Sequence, residues 1–110
     1  MSAYRLTSDA QTDLIEIRRY TLAHWGAQQS QKYLAEMQQT IQLLAETPTL
    51  GKLRPDVVSG AFSFPYASHV IYYLQHGEQI MVLGVLHKRM VPTNHLEHRA
   101  IVDPQFHTPI

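Results

Sequence analysis

The chain has 110 residues, room for one domain and a modest core that buries roughly 65% of the unfolded surface. It has no cysteine, which excludes a disulfide framework and a thiolate metal site, and its net charge of zero disfavours a general nucleic-acid binder. The opening residues lack an apolar signal-peptide core, and the longest apolar stretch, residues 80–86, falls far short of the ~20 residues of a membrane span, so a soluble, cytoplasmic protein is expected.

Tyr4-Arg5-Leu6 alternates apolar and polar as a short strand does. Ser8-Asp9-Ala10-Gln11 reads as a capping box, in which Ser8 and Gln11 satisfy each other's backbone amides. Ala10, Leu14, Ile17, Thr21 and Trp25 then recur at helical spacing, with Ile15 and Leu22 widening the stripe, and Gly26 stands where a left-handed cap ends the helix. Trp25 reads as an aromatic anchor at a helix–sheet junction. A second helix is expected over 27–45. Its apolar stripe is Tyr33, Leu34, Met37, Ile41 and Leu44, its outer face is rich in glutamine (Gln28, Gln31, Gln38, Gln39, Gln42), and Pro48 stops it. So short a link forces the two helices into an antiparallel hairpin.

Residues 46–60 hold Pro48, Gly51, Pro55 and Gly60 and read as a connecting loop with one helical turn around 56–59. Three strands follow. Phe62 and Phe64 alternate with small residues before Pro65. His69-Val70-Ile71-Tyr72-Tyr73-Leu74 is nearly continuous in β-formers, and Gln75-His76-Gly77-Glu78 turns the chain. Residues 80–86 are apolar throughout and read as a central strand, with Leu83, Val85 and His87 on one face and Gly84, Leu86 and Lys88 on the other. Asn94 with Glu97 suggests a short helix through 99–101, and the tail from about residue 100 is irregular. The layout β-α-α-β-β-β implies an α+β fold, a two-helix antiparallel hairpin on a small, largely antiparallel four-stranded sheet, as a single domain over 1–110.

Charge is unevenly spread. Residues 52–99 hold five bases (Lys52, Arg54, Lys88, Arg89, Arg99) against three acids, and five of the seven histidines lie between His69 and His98. This half suits an anionic or acidic partner, more so as histidines charge below about pH 6.5. His87-Lys88-Arg89 closes the most apolar strand. It reads either as a basic trio that keeps a strand end soluble or as an anion-facing site. A nuclease needs a base, an acid and a cation for the scissile phosphate, and His87, His95, Arg89, Lys88 and Tyr72 or Tyr73 are candidates. His95-x-x-His98 has metal-ligand spacing but lacks a third ligand beside it, so solvated histidines are expected and no metal or other cofactor. There is no phosphate-binding glycine loop and no recognisable serine or cysteine nucleophile.

Read in order, several segments resemble the ParE family of small toxins. Tyr4-Arg5-Leu6-Thr7 with Ala10, Asp13-Leu14 and Ile17 resembles its first strand and helix, and Tyr20-Thr21 with Trp25-Gly26 its helix end. Tyr33-Leu34 and Ile41-x-x-Leu44-Ala45 resemble its second helix, and Pro48-x-Leu50-Gly51 with Arg54 its loop. His69-Val70-Ile71-Tyr72-Tyr73 and Val85-Leu86-His87-x-Arg89-Met90 resemble its last two strands, so the resemblance spans about residues 3–99. It implies the toxin half of a type II toxin–antitoxin system, with a fold shared with RelE-type ribosome-dependent RNases. The implied activity is inhibition of DNA gyrase by binding rather than catalysis. The implied partner is a ParD-like antitoxin, with no sequence-specific DNA binding by this chain itself. Residues His87, Lys88, Arg89, Met90 and His95 are the expected target-binding set. Val91-Pro92 departs from the family, where an acidic residue commonly follows. The alternatives are a RelE-like mRNA endonuclease and a homologue that has lost activity and only pairs with its antitoxin.

Overall fold

The computed structural model describes residues 3–96 and Arg99. The element order is β1 (Ala3–Leu6), α1 (Ser8–Trp25), α2 (Ala27–Glu46), a 3-10 turn (Pro48–Leu50), β2 (Lys52–Leu53), β3 (Ala61–Tyr66), β4 (His69–His76), β5 (Gln79–His87) and α3 (Pro92–Leu96). The sheet order is β1-β5-β4-β3-β2, antiparallel throughout except that β1 runs parallel to β5. The helical hairpin packs on one face. The expected α+β architecture is therefore present, with a fifth strand of two residues, Lys52–Leu53, in what reads as loop.

The β1–α1 junction is cut at Thr7, not Ser8. The Thr7 amide continues the ladder by donating to the Val82 carbonyl at 3.1 Å, while its hydroxyl accepts from the Ala10 amide at 3.1 Å. One buried residue thus ends the strand and caps the helix. Gly26, at φ +87°, closes α1 by donating to the Leu22 carbonyl and opens α2, which a residue with a Cβ does at a steric cost. The hairpin is tied near its tip by Thr21, whose hydroxyl sits 2.6 Å from that of Ser30 and donates to the Ile17 carbonyl.

The main core joins Ala10 and Ile17 of α1, Tyr33, Met37, Ile41 and Leu44 of α2, and Ile71, Tyr73, Ile80, Val82 and Val85 of the sheet. Side chains this deeply buried contribute roughly 1.5–3 kcal/mol each. The stripe on α1 is narrower than its periodicity implies: Ile15 and Leu22 are exposed, and so is Trp25, at 42%. Residues 22–29, the hairpin tip, are all exposed, so Trp25 is no core anchor and leans edge-on against Tyr33. Asp13 occupies the core-facing place instead.

The opposite face of the sheet is covered by the loop before β3 and by α3. Val57, Tyr72, Leu86 and Leu96 form one cluster, and Ala61, Met81 and Leu83 another. The loop closes in hydrogen-bonded turns from Arg54 to Val57 and Val58. Helix α3 starts at Pro92, two residues before the expected Asn94, with proline in the first-turn position that tolerates it. The remainder of that expected helix, through 99–101, and the tail lie outside the described residues apart from Arg99.

One register differs from simple alternation. Tyr72 pairs with Gly84 but Tyr73 with Val82, so Leu83 is an extra residue in β5. This bulge separates Leu83 from Val85: Leu83 joins the outer cluster with Met81, while Val85 faces the helices. The expected sharing of a face by Leu83, Val85 and His87 therefore fails at Leu83.

Candidate functional site

An open cleft of about 580 Å³ lies between the second half of α1, the neighbouring ends of β4 and β5, and the segment after β5. Its walls include Glu16, Tyr20 and Trp25 on one side and Met90 and His95 on the other. Ile17, His69, Val85, Leu86 and His87 also line it, with Asp13 and Arg99 at one end. Among the lining groups Tyr20 is 57%, Trp25 42% and Met90 44% exposed, an unusual amount of aromatic and thioether surface at one mouth.

Three of the five expected target-binding residues, His87, Met90 and His95, thus meet at this cleft. Lys88 and Arg89 follow His87 in the exposed turn beyond β5 and are not among its walls. That turn is fixed by backbone bonds: Lys88 donates to the Ser68 carbonyl at 2.9 Å and Met90 to that of His87 at 2.8 Å. The Arg89 amide donates to His87 Nδ1 at 3.2 Å, which leaves the His87 proton on Nε2 when the ring is neutral.

Beside His87 sits His69, buried, with ring centroids 5.6 Å apart. The Ser68 amide donates to the Tyr33 hydroxyl at 3.3 Å, and that hydroxyl lies 2.7 Å from His69 Nδ1. The Tyr33 hydroxyl thus ties the Ser68 amide and the His69 ring together at the start of β4. Burial, then repulsion from His87, pushes the His69 imidazolium pKa down to about 4, against a small opposing pull from Asp13. A histidine whose folded pKa is depressed stabilises the fold fully above its unfolded value of about 6.5, and that contribution is lost as pH falls toward 4. Because the ring borders an open cleft, the loss is about 2 kcal/mol rather than the full linkage value. Unfolding free energies at pH 7 and pH 4.5 should therefore differ by about that much more in the unmodified protein than in His69→Gln. Equal pH slopes for the two proteins would refute the assignment.

Of the nuclease candidates, Tyr72 and Tyr73 lie away from the cleft where His87 and His95 meet. Tyr73 is fully buried and its hydroxyl donates to the Pro48 carbonyl at 2.7 Å while accepting from the Gly51 amide at 3.0 Å. Tyr72 is buried on the opposite face against Leu86 and Leu96. No group of three metal-ligating side chains exists among the described residues, which do not include His98. No helix there is long and apolar enough to cross a membrane.

Sequence reasoning missed Asp13, His69, Tyr20 and Arg99. Asp13 is buried on α1, with both carboxylate oxygens bonded to Arg99: Nη1 to Oδ2 at 2.8 Å and Nη2 to Oδ1 at 3.0 Å. Its readable signal is a lone carboxylate set in the apolar stripe between Ala10 and Ile17, which demands a buried partner.

The family model for the ParE toxin of the parDE type II toxin–antitoxin system matches residues 4–92. This chain belongs to the ParE toxin family. It is 34% identical over 96 residues to toxin ParE1 of Caulobacter vibrioides, covering 87% of this chain and 99% of that protein. It is 37% identical over 90 residues to toxin ParE1 of Mycobacterium tuberculosis, covering 81% of this chain and 92% of the other. Against toxin ParE of Escherichia coli it is 35% identical over 91 residues, covering 82% and 88%. A chain from the chromosomal ParDE system of P. aeruginosa shares the fold, with a TM-score of 0.68 at 19% identity, over 79% of this chain and 96% of that one. The ParE match contains β5 and the basic turn and ends at the first residue of α3, so Arg99 lies beyond it.

Proposed function

We propose that this ParE-family toxin acts in the cytoplasm by binding and inhibiting DNA gyrase, and that a ParD-like antitoxin neutralises it. The observation that carries the reading is the family match, whose span, residues 4–92, includes the strand end and turn bearing His87, Lys88, Arg89 and Met90. Those residues, with His95 across the cleft, are the proposed target contacts. Inducible expression in cells, with plasmid supercoiling and mRNA integrity followed together, tests the reading. Loss of supercoiling with intact mRNA is expected. Cleaved mRNA with normal supercoiling means a RelE-like endonuclease, and no effect on either, or on growth, means an inactive homologue.

Neutralisation has a suitable surface away from the basic turn. β1 is an edge strand, and beside it a groove of about 360 Å³ is lined by Tyr4, Leu6, Leu14, Ile15, Leu34 and Met37. Next to it stands the glutamine-rich face of α2. An extended antitoxin segment that orders on binding can add to the strand edge and fill such a groove. Co-expression with the neighbouring gene product should give a complex stable through gel filtration. Recovery of the toxin alone, with no measurable binding to that product, contradicts this.

A further inference from the structure

We propose that Asp13 and Arg99 form a clasp that locks residues 88–96 against the end of β5, and that target binding depends on it. The second half rests on the proposed function; the first does not.

The clasp answers a backbone problem. β1 accompanies β5 only as far as Val82, and Thr7 adds a bond from its amide to the Val82 carbonyl and a longer one, 3.4 Å, from its hydroxyl to the Leu83 carbonyl. Past that point no strand among the described residues lies beside the outer edge of β5, and its polar groups lie in a buried stretch. Asp13 Oδ2 accepts from the Val85 amide at 2.9 Å, and Arg99 Nη1 donates to the Leu83 carbonyl at 3.0 Å. The two side chains therefore take up strand-edge groups of β5 beyond the reach of β1, Arg99 at a shorter distance than the Thr7 hydroxyl, and their own charges pair through both oxygens and both terminal nitrogens. The guanidinium fork suits this task because one group serves the carboxylate bidentately and the carbonyl as well.

The backbone is shaped to admit the clasp. The bulge at Leu83 and the bare Gly84 lie beneath the ion pair. A Cβ on Gly84 would stand 2.5 Å from Arg99 Nη1, 2.9 Å from Leu96 Cδ2 and 3.1 Å from Asp13 Oδ2. All three clashes are with the two members of the clasp and with the apolar anchor of α3, which is 2% exposed. The glycine thus leaves room for the segment to be pinned at two points, Leu96 and Arg99. Between those pins and β5 hang Lys88, Arg89, Met90 and His95. Asp13 and Arg99 are positioning residues, acting through the segment they hold.

The test uses the full chain and three variants, Gly84→Ala, Arg99→Lys and Arg99→Gln. Gly84→Ala displaces the guanidinium without removing either charge. Arg99→Lys keeps the charge but loses the fork. Amide hydrogen exchange and affinity for purified gyrase are measured, with Arg89→Ala beside them. The expected result in Gly84→Ala and Arg99→Gln is exchange faster by about tenfold or more at Val85 and across 88–96, with α2 core amides such as Met37 unchanged. Gyrase affinity should fall about tenfold or more, and Arg99→Lys should recover part of both effects. Unchanged exchange over 88–96 in Gly84→Ala and Arg99→Gln overturns the clasp. Faster exchange with undiminished gyrase affinity, where Arg89→Ala abolishes binding, overturns its positioning role. If the unmodified chain does not bind gyrase, the target reading fails, and the exchange result alone decides the clasp. Should Arg99→Gln fail to fold, Gly84→Ala and Arg99→Lys carry both readouts.

Discussion

Arg89→Ala should lower toxicity sharply while leaving the melting temperature and antitoxin affinity nearly unchanged. Arg89 is exposed in the turn after β5, and no side-chain hydrogen bond or ion pair holds it among the described residues. Removing such a side chain costs the fold no more than about 0.5 kcal/mol. At the target the same group has a planar fork that engages a carboxylate or phosphate through two bonds. Loss of a charge-assisted contact buried in a complex costs about 2–5 kcal/mol, or roughly 30-fold to several thousand-fold in affinity. Lys88, a point charge on the same turn, should matter less. Growth after induction, the melting temperature and antitoxin binding, measured on the one variant, separate the outcomes. A variant that no longer folds makes Arg89 structural, and undiminished toxicity moves the target surface elsewhere.

Tyr73→Phe should destabilise the protein by about 2 kcal/mol and lower the melting temperature by roughly 10 °C. The ring is fully buried and stacks on Phe62 at a centroid distance of 5.4 Å, so phenylalanine retains its packing. What disappears is the hydroxyl, which binds the Pro48 carbonyl and the Gly51 amide and so pins the turn between α2 and β2 to the centre of the sheet. Both backbone groups then lose their partner in a partly buried place. Gly51→Ala should act in the same direction, because a Cβ there would strike the Tyr73 hydroxyl and come within 3.0 Å of the Ser63 carbonyl. A Tyr73→Phe melting temperature within about 2 °C of the unmodified protein would show that water replaces the hydroxyl at no cost.

Most of the architecture was legible because it rests on local periodicity. Tyr33, Met37, Ile41 and Leu44 recur at helical spacing and are core. Gly26 and Gly77 mark two of the sharp reversals, and the β-formers from His69 onward are a strand. The errors arise where a residue's fate is set by something distant. Trp25 reads as an anchor on composition alone, yet it stands at the exposed hairpin tip, where it leans on Tyr33 and lines the mouth of a cleft. The strand over 80–86 is apolar at nearly every place, so no alternation reveals the bulge. Gly84 inside it was the available hint, since glycine in a strand marks a bulge or a close approach. Asp13 announced a buried charge, but its partner lies 86 residues along the chain, and nothing local names it.

The candidate site was half legible for the same reason. His87, Lys88, Arg89 and Met90 are contiguous, and a basic run at the end of an apolar strand is visible in one dimension. The cleft that gathers His87, Met90 and His95 with Trp25 and Tyr20 is not, because it forms where α1, β4, β5 and the segment after β5 converge. His69 looked like the first residue of a strand. Its burial against Tyr33 depends on α2 crossing the start of β4.

The most direct test of the central claim is a supercoiling reaction with purified DNA gyrase, relaxed plasmid and ATP, to which the purified chain is added alone or after mixing with its antitoxin. The account predicts that the chain alone blocks supercoiling, that the antitoxin restores it, and that Arg89→Ala blocks it far less well. Full supercoiling in the presence of a large excess of the folded, unmodified chain would contradict it.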